Sequence, residues 1–159
     1  MKKLVVVLFM FICCVSVTKI EAQNYDNAVG LRLGWGFAGS LKHFFTEDLA
    51  GEGIVNLRNS YLGASYFSVT ALAQKHNPIN DVPNLYWYYG GGAFAGFFSS
   101  EYTDSSNVNI GIAGNLGLDY TFNDIPLNLS IDWIPSISLT GGHGFGAEAG
   151  GIAARYILN

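Results

Sequence analysis

The chain has 159 residues, half of them hydrophobic, with only 13% charged side chains and a formal net charge of −4. With 8 Lys and Arg against 12 Asp and Glu it offers no basic surface for nucleic acid. Its 2 cysteines, Cys13 and Cys14, fall in a segment expected to be removed, so neither disulfides nor thiolate sites are expected in the finished protein.

That segment opens with Lys2 and Lys3, continues as an apolar run from Leu4 to Val17 and closes on a polar stretch ending at Ala22, the layout of a secretory signal peptide. The run is too short for a spanning helix, which needs about 20 apolar residues. The expectation is a signal peptide over residues 1–22, cut before Gln23, and one barrel domain over 23–159. No later segment has the continuous apolar run of a membrane helix, so any crossing must use strands.

The first expected strand places Val29, Leu31, Leu33, Trp35 and Phe37 on one face and Gly30, Arg32, Gly34 and Gly36 on the other. Further strands are expected from Ser40 to Thr46, Ala50 to Arg58, Tyr61 to Ala73 and Leu85 to Ser99. Turn signals divide them at Glu47-Asp48, at Asn59-Ser60 and at Asn77 to Asn84, the last within a loop expected from Gln74 to Asn84, and later at Glu101 to Asn107 and Gly141 to Gly144. Within the fifth strand, Tyr86-Trp87-Tyr88-Tyr89 followed by Gly90-Gly91-Gly92 could be a sugar-stacking platform. The preferred reading is an aromatic girdle at lipid headgroups, with glycines that let a tightly curved barrel close. The triple glycine lacks the Lys and the following helix of a phosphate-binding loop.

The strongest periodicity comes next. Val108, Ile110, Ile112, Gly114, Leu116, Leu118, Tyr120 and Phe122 share a face, against Asn109, Gly111, Ala113, Asn115, Gly117, Asp119 and Thr121. About 15 residues is longer than the usual strand of a soluble protein and covers the 9 to 11 needed to cross lipid at a tilt. After a turn at Asn123-Asp124-Ile125-Pro126, the pattern repeats as Leu127, Leu129, Ile131 and Trp133 against Asn128, Ser130 and Asp132. A last strand is expected from Phe145 to Leu158. The total of eight gives an all-β, eight-stranded antiparallel up-and-down transmembrane β-barrel.

Several blocks then take on a family likeness: Gly30-Leu31-Arg32-Leu33-Gly34, Ser40-Leu41-Lys42-His43-Phe44-Phe45, Trp87-Tyr88-Tyr89-Gly90-Gly91-Gly92, and Ala154-Arg155-Tyr156-Ile157-Leu158. The most specific is Pro126-Leu127-Asn128-Leu129-Ser130-Ile131-Asp132-Trp133. Together they resemble the small outer-membrane β-barrel proteins of Bacteroidetes-type bacteria, most of them uncharacterised. The resemblance implies residence in the cell outer membrane, with membrane lipid and the barrel-assembly machinery as partners. Such barrels usually finish on an aromatic residue, and here Tyr156 is the last one before Leu158-Asn159.

With the greasy face turned to lipid, Arg32, Lys42, Asp119 and Asp132 point inward, joined by one of Glu148 and Arg155, which have opposite parity on an unbroken strand. Arg155 is the preferred member, since Tyr156 and Leu158 then face lipid. An eight-stranded interior has room for little beyond its own side chains, so these charges are expected to pair as a plug rather than line a channel. Ser138, His143 and Glu148 are the nearest approach to a catalytic set, but His143 sits in a glycine-rich turn that fixes no general base. His43 and His76 read as isolated, and no metal or cofactor site is expected. The expectation is a non-enzymatic barrel with a structural, adhesive or accessory envelope role. The alternatives are a narrow solute or ion pore and a secreted lipocalin-like binder with inverted polarity.

Overall fold

The computed structural model describes residues 25–34, 36–59, 64–100, 105–140, 144–146 and 150–158. The expected signal peptide, together with Trp35, His143 and Glu148, lies outside them. The strands are β1 (Asn27–Gly34), β2 (Phe37–Phe44), β3 (Leu49–Asn59), β4 (Ala64–Pro78), β5 (Leu85–Ser100), β6 (Ser105–Thr121), β7 (Leu127–Trp133), β8 (Ser136–Ser138), β9 (Phe145–Gly146) and β10 (Gly150–Leu158). Every pairing is antiparallel. Each of β1 to β6 pairs with the next, β6 with β7 and β8, β7 with β10, and β10 returns to β1, so the sheet closes.

These ten segments make eight staves. β7 and β8 form one, keeping a single register on β6 through Ile134-Pro135. Pro135 has no amide to donate, but its carbonyl accepts from the Gly114 N–H at 2.7 Å. β9 and β10 form another, and here the expectation of one unbroken strand needs correction. Phe145 has the same parity as Arg155, yet Phe145 is exposed and Arg155 is buried, so the register slips by one residue between Gly146 and Gly150.

Two other boundaries differ from expectation. The first strand was expected to reach Phe37, but β1 ends at Gly34. The chain reverses at Gly34 and Gly36, and Phe37 opens β2 opposite Leu33. The expected loop from Gln74 to Asn84 begins as strand, because β4 runs on to Pro78 with Gln74 and His76 buried. The turn that remains is short, and Asn84 closes it at φ 63°, a left-handed conformation that Asn tolerates better than most residues.

The alternation sets the polarity of the wall. On β6, Val108, Ile110, Ile112, Leu116 and Leu118 are all exposed, while Ala113, Asn115 and Asp119 are buried. The same holds for Val29, Leu31 and Leu33 against Ala28 and Arg32 on β1, and for Ile131 and Trp133 against Asn128, Ser130 and Asp132 on β7. The exterior is therefore apolar and the interior polar, the reverse of a soluble ligand-binding barrel.

The glycine run sits close against the neighbouring strand. Gly90 and Gly92 share the inward parity of Tyr88, and a Cβ on either would coincide with the carbonyl oxygen of Ala73 or Ala71 on β4. Gly92→Ala is expected to destabilise the barrel by about 1–3 kcal/mol or more through overpacking against backbone. Gly53→Ala, where a Cβ meets open space, is expected to change stability by less than about 0.5 kcal/mol. Urea titration of the refolded protein, followed by heat-modifiable gel mobility, distinguishes the two; equal midpoints would sink the argument.

Candidate functional site

All five charges expected inside, Arg32, Lys42, Asp119, Asp132 and Arg155, are buried, each at most 8% exposed. Glu52, Gln74, His76 and Tyr88, which the sequence reading had not placed there, join them. Among the described residues, three buried cations thus face three buried carboxylates.

Arg32 on β1 makes a bidentate pair with Asp132 on β7, Nη1 donating to Oδ2 at 2.8 Å and Nη2 to Oδ1. The Tyr88 hydroxyl donates to the same Oδ2 at 2.9 Å. Arg155 on β10 pairs with Glu52 on β3. Its remaining N–H groups reach the Ser40 hydroxyl at 2.7 Å, the Asn128 carbonyl oxygen at 3.2 Å and the Ser130 hydroxyl at 2.7 Å. Glu52 in turn accepts from Ser40 at 2.8 Å and from the Gln74 amide at 2.7 Å. Lys42 on β2 donates to Asp119 on β6 at 2.9 Å, beside His76, with its ammonium 4.5 Å from the centre of the Tyr88 ring.

None of these ion pairs joins neighbouring staves; each crosses the lumen. That arrangement follows from stave order, because β1, β2 and β3 lie on one side of the β10 seam and supply Arg32, Lys42 and Glu52, while β6, β7 and β10 supply their counterions. The fully buried Arg155, Tyr88, Lys42, Gln74, Glu52 and Asn128 fill the cross-section. Burial of unpaired charge is prohibitive, so net neutrality and hydrogen bonds to the remaining donors are the conditions under which such an interior forms. Arg suits the forked Arg32–Asp132 pair because its planar donors match a carboxylate, and at Arg155 the same fan of donors reaches Glu52 together with three neutral acceptors.

The aromatic block divides between the two faces, which corrects its reading as a girdle alone. Trp87 and Tyr89 face out and stack at 5.5 Å, whereas Tyr88 is wholly buried and stacks on His76 at 4.8 Å. His76 is correspondingly not isolated: it also packs on Phe44 at 4.9 Å. His43 lies at the strand end, its Nδ1 2.9 Å from the Asn27 carbonyl oxygen. Of the residues considered for catalysis, Ser138 accepts from the Asn109 amide at 3.0 Å, and His143 and Glu148 lie outside the described residues. On the surface at the turn end, the Lys75 ammonium and then the Thr46 hydroxyl hold the Asp48 carboxyl below the ordinary carboxylate range.

The closed eight-stave barrel has a solved counterpart. The fold is similar to the N-terminal β-barrel domain of Pseudomonas aeruginosa OprF, with a TM-score of 0.57 over 82% of this chain and 93% of that one. At 17% identity the likeness concerns the fold. No protein-family model and no curated protein matches the chain.

Alternation alone could have found the missed residues. Glu52 has the parity of Ala50, Ile54 and Asn56 in a strand already expected, but its flanking glycines, Gly51 and Gly53, interrupt the apolar face that Leu49, Val55 and Leu57 would otherwise mark. Gln74 and His76 continue the parity of Leu72. They went unseen because Asn77, Pro78 and Asn80 gave the whole segment a turn-like composition.

Proposed function

We propose that the chain is a small outer-membrane β-barrel whose plugged interior does not conduct, serving a structural, adhesive or accessory role in the cell envelope and carrying no enzymatic activity. The observation that carries this reading is the polarity of the wall: an apolar exterior around a neutral, hydrogen-bonded set of six charges. The exterior also grades as a membrane belt would. Phe37, Leu57, Phe67, Phe97 and Val108 make one continuous exposed row across five strands, with Phe67 and Phe97 at 5.9 Å. Tyr120 and Phe122 pack edge to face at the opposite end of β6.

In this reading the end bearing both the Asn27 and Leu158 strand ends, with the turns at 45–48, 79–84 and 122–126, faces the periplasm, as the even stave count requires of a chain that begins and ends there. Membrane lipid surrounds the wall, and the barrel-assembly machinery inserts it. The Pro126 to Trp133 block supports a place among the small barrels of Bacteroidetes-type bacteria. The likeness to the OprF domain supports the outer membrane as the site of residence.

Two measurements test this. The protein is expected to fractionate with outer membranes and to migrate differently in gels before and after boiling; recovery as a soluble species would refute the membrane reading. In planar bilayers the wild type is expected to give no discrete conductance. Single-channel openings that vanish in Arg32→Ala or Asp132→Ala would instead make the charged centre a conduction path.

A further inference from the structure

We propose that the end of the lumen opposite the Asn27 and Leu158 strand ends, called here the loop end, is a binding cup for one small neutral molecule, apolar at one end and hydrogen-bonding at the other. This goes beyond the envelope role, and it concerns the half of the lumen that the ion pairs do not fill.

Between the ion pairs and the loop end, Ala38, Ile54, Leu72, Ala113 and Ile134 form a buried apolar cluster with Phe94 packed against it. Above this floor lies a cavity of about 270 Å³, close to the lower bound of roughly 300–1,000 Å³ for small-molecule sites. At interior packing density it has room for about a dozen non-hydrogen atoms. Its wall carries Asn56, Tyr66, Ser68, Thr70 and Ser136.

Below the floor the charged groups are bonded to one another and to Ser40, Gln74, Asn128 and Ser130; Gln74 Oε1, His76 Nδ1 and Asn115 Nδ2 are also buried there without a partner, but none of these residues lines the cavity. Above it, among the described residues, the side chains of Asn56, Tyr66, Ser68, Thr70 and Ser136 have no hydrogen-bond partner, and the Asn56 carbonyl oxygen is buried without a donor. A buried acceptor left unpaired is costly, so a ligand that donates to Asn56 gains more there than in water.

Charge decides the rest of the ligand's chemistry. Among the described residues, Arg32 is the one lysine, arginine, aspartate or glutamate that lines the cup, and Asp132 already neutralises it in a bidentate pair. The described lining therefore offers no unpaired charge to an anion or a cation. Water can satisfy the wall hydroxyls but gains nothing from Ile54, Phe94 and Ile134, and poorly held water over an apolar floor is readily displaced by an apolar group. An aromatic or short aliphatic body seated on the floor, with a hydroxyl or N–H turned to Asn56, meets both requirements.

The test uses the protein reconstituted in lipid nanodiscs, with 2-naphthol as the probe and methyl glucoside as a wholly polar control, read by methyl NMR. The methyls of Ala38, Ile54 and Ala113 are expected to shift and saturate at one molecule per chain, with outward-facing Ala93 unmoved and the glucoside without effect. Asn56→Leu is expected to raise the half-saturating concentration about tenfold, the value of one buried hydrogen bond. Ala38→Phe, which fills the cup, should abolish the shifts at Ile54 and Ala113 while heat-modifiable mobility persists. Should that variant fail to assemble, Asn56→Leu and the location of the shifts decide the matter. Shifts that grow without saturation, shifts confined to Ala93, an unchanged affinity in Asn56→Leu, or saturation by the glucoside alone would each overturn the proposal. Failure of the membrane reading would register separately, as soluble fractionation.

Discussion

Glu52→Leu alone is expected to lower the barrel's unfolding free energy by about 3–5 kcal/mol, the penalty for leaving one partner of a buried ion pair uncompensated. The substitution strands Arg155, which retains Ser40, Asn128 and Ser130 as neutral acceptors but loses its only direct carboxylate. It also leaves the Gln74 amide with Asn115 as its sole acceptor. The double variant Glu52→Leu with Arg155→Met removes both charges and is expected to recover most of the loss, because apolar residues of similar volume often replace a buried pair at little net cost. Urea unfolding in vesicles, read by tryptophan fluorescence and gel mobility, measures all three proteins. A double variant as unstable as the single one would mean that the pair itself, rather than the orphaned charge, sets the stability.

Leu31→Arg is expected to cost about 2–4 kcal/mol in a bilayer if Leu31 sits near the midplane, the range for an arginine on the lipid face of a barrel. Leu31 is 69% exposed and lies between Val29 and Leu33 on the outer face of β1. A soluble barrel would accept the same change almost without effect, since an exposed Leu gains little by staying apolar. The comparison is therefore sharp: vesicle-refolded Leu31→Arg should unfold at markedly lower urea than Leu31→Ala. Equal midpoints would remove lipid from the description of this surface.

The parts of the fold that were legible in the sequence were those in which one face is uniformly greasy. β6 and β7 could be read almost residue by residue, because Val108 to Leu118 and Leu127 to Trp133 never break alternation, and a period of two fixes which side chains share a face. Five of the interior charges followed from that rule. Legibility failed where glycine or composition interrupted the pattern. Gly34 and Gly36 allowed a reversal inside what reads as one strand. The slip between Gly146 and Gly150 inverted the face of Phe145, which no periodicity can announce. The pairing of the charges was not legible at all, since partners come from staves that touch only after the sheet has rolled shut. The apolar floor was equally hidden: Ala38, Ile54, Leu72 and Ala113 come from four separate strands and Ile134 from the link between β7 and β8, each contributing one unremarkable inward residue.

The lumen-crossing pairs also bear on how the chain can fold. Arg155 and Glu52 are separated by 103 positions, Arg32 and Asp132 by 100, and Lys42 and Asp119 by 77. A sheet with its β1–β10 seam still open would hold these six charges apart in a low-dielectric environment, alongside two unpaired strand edges that lipid cannot satisfy. Partly rolled forms are thus penalised twice, and the penalties vanish together at the moment of closure. Such a landscape favours an all-or-none transition, slow because its rewarding contacts are so distant along the chain. The plug in this sense acts as a latch: it holds nothing until the last stave arrives, and then it holds every stave that contributes to it.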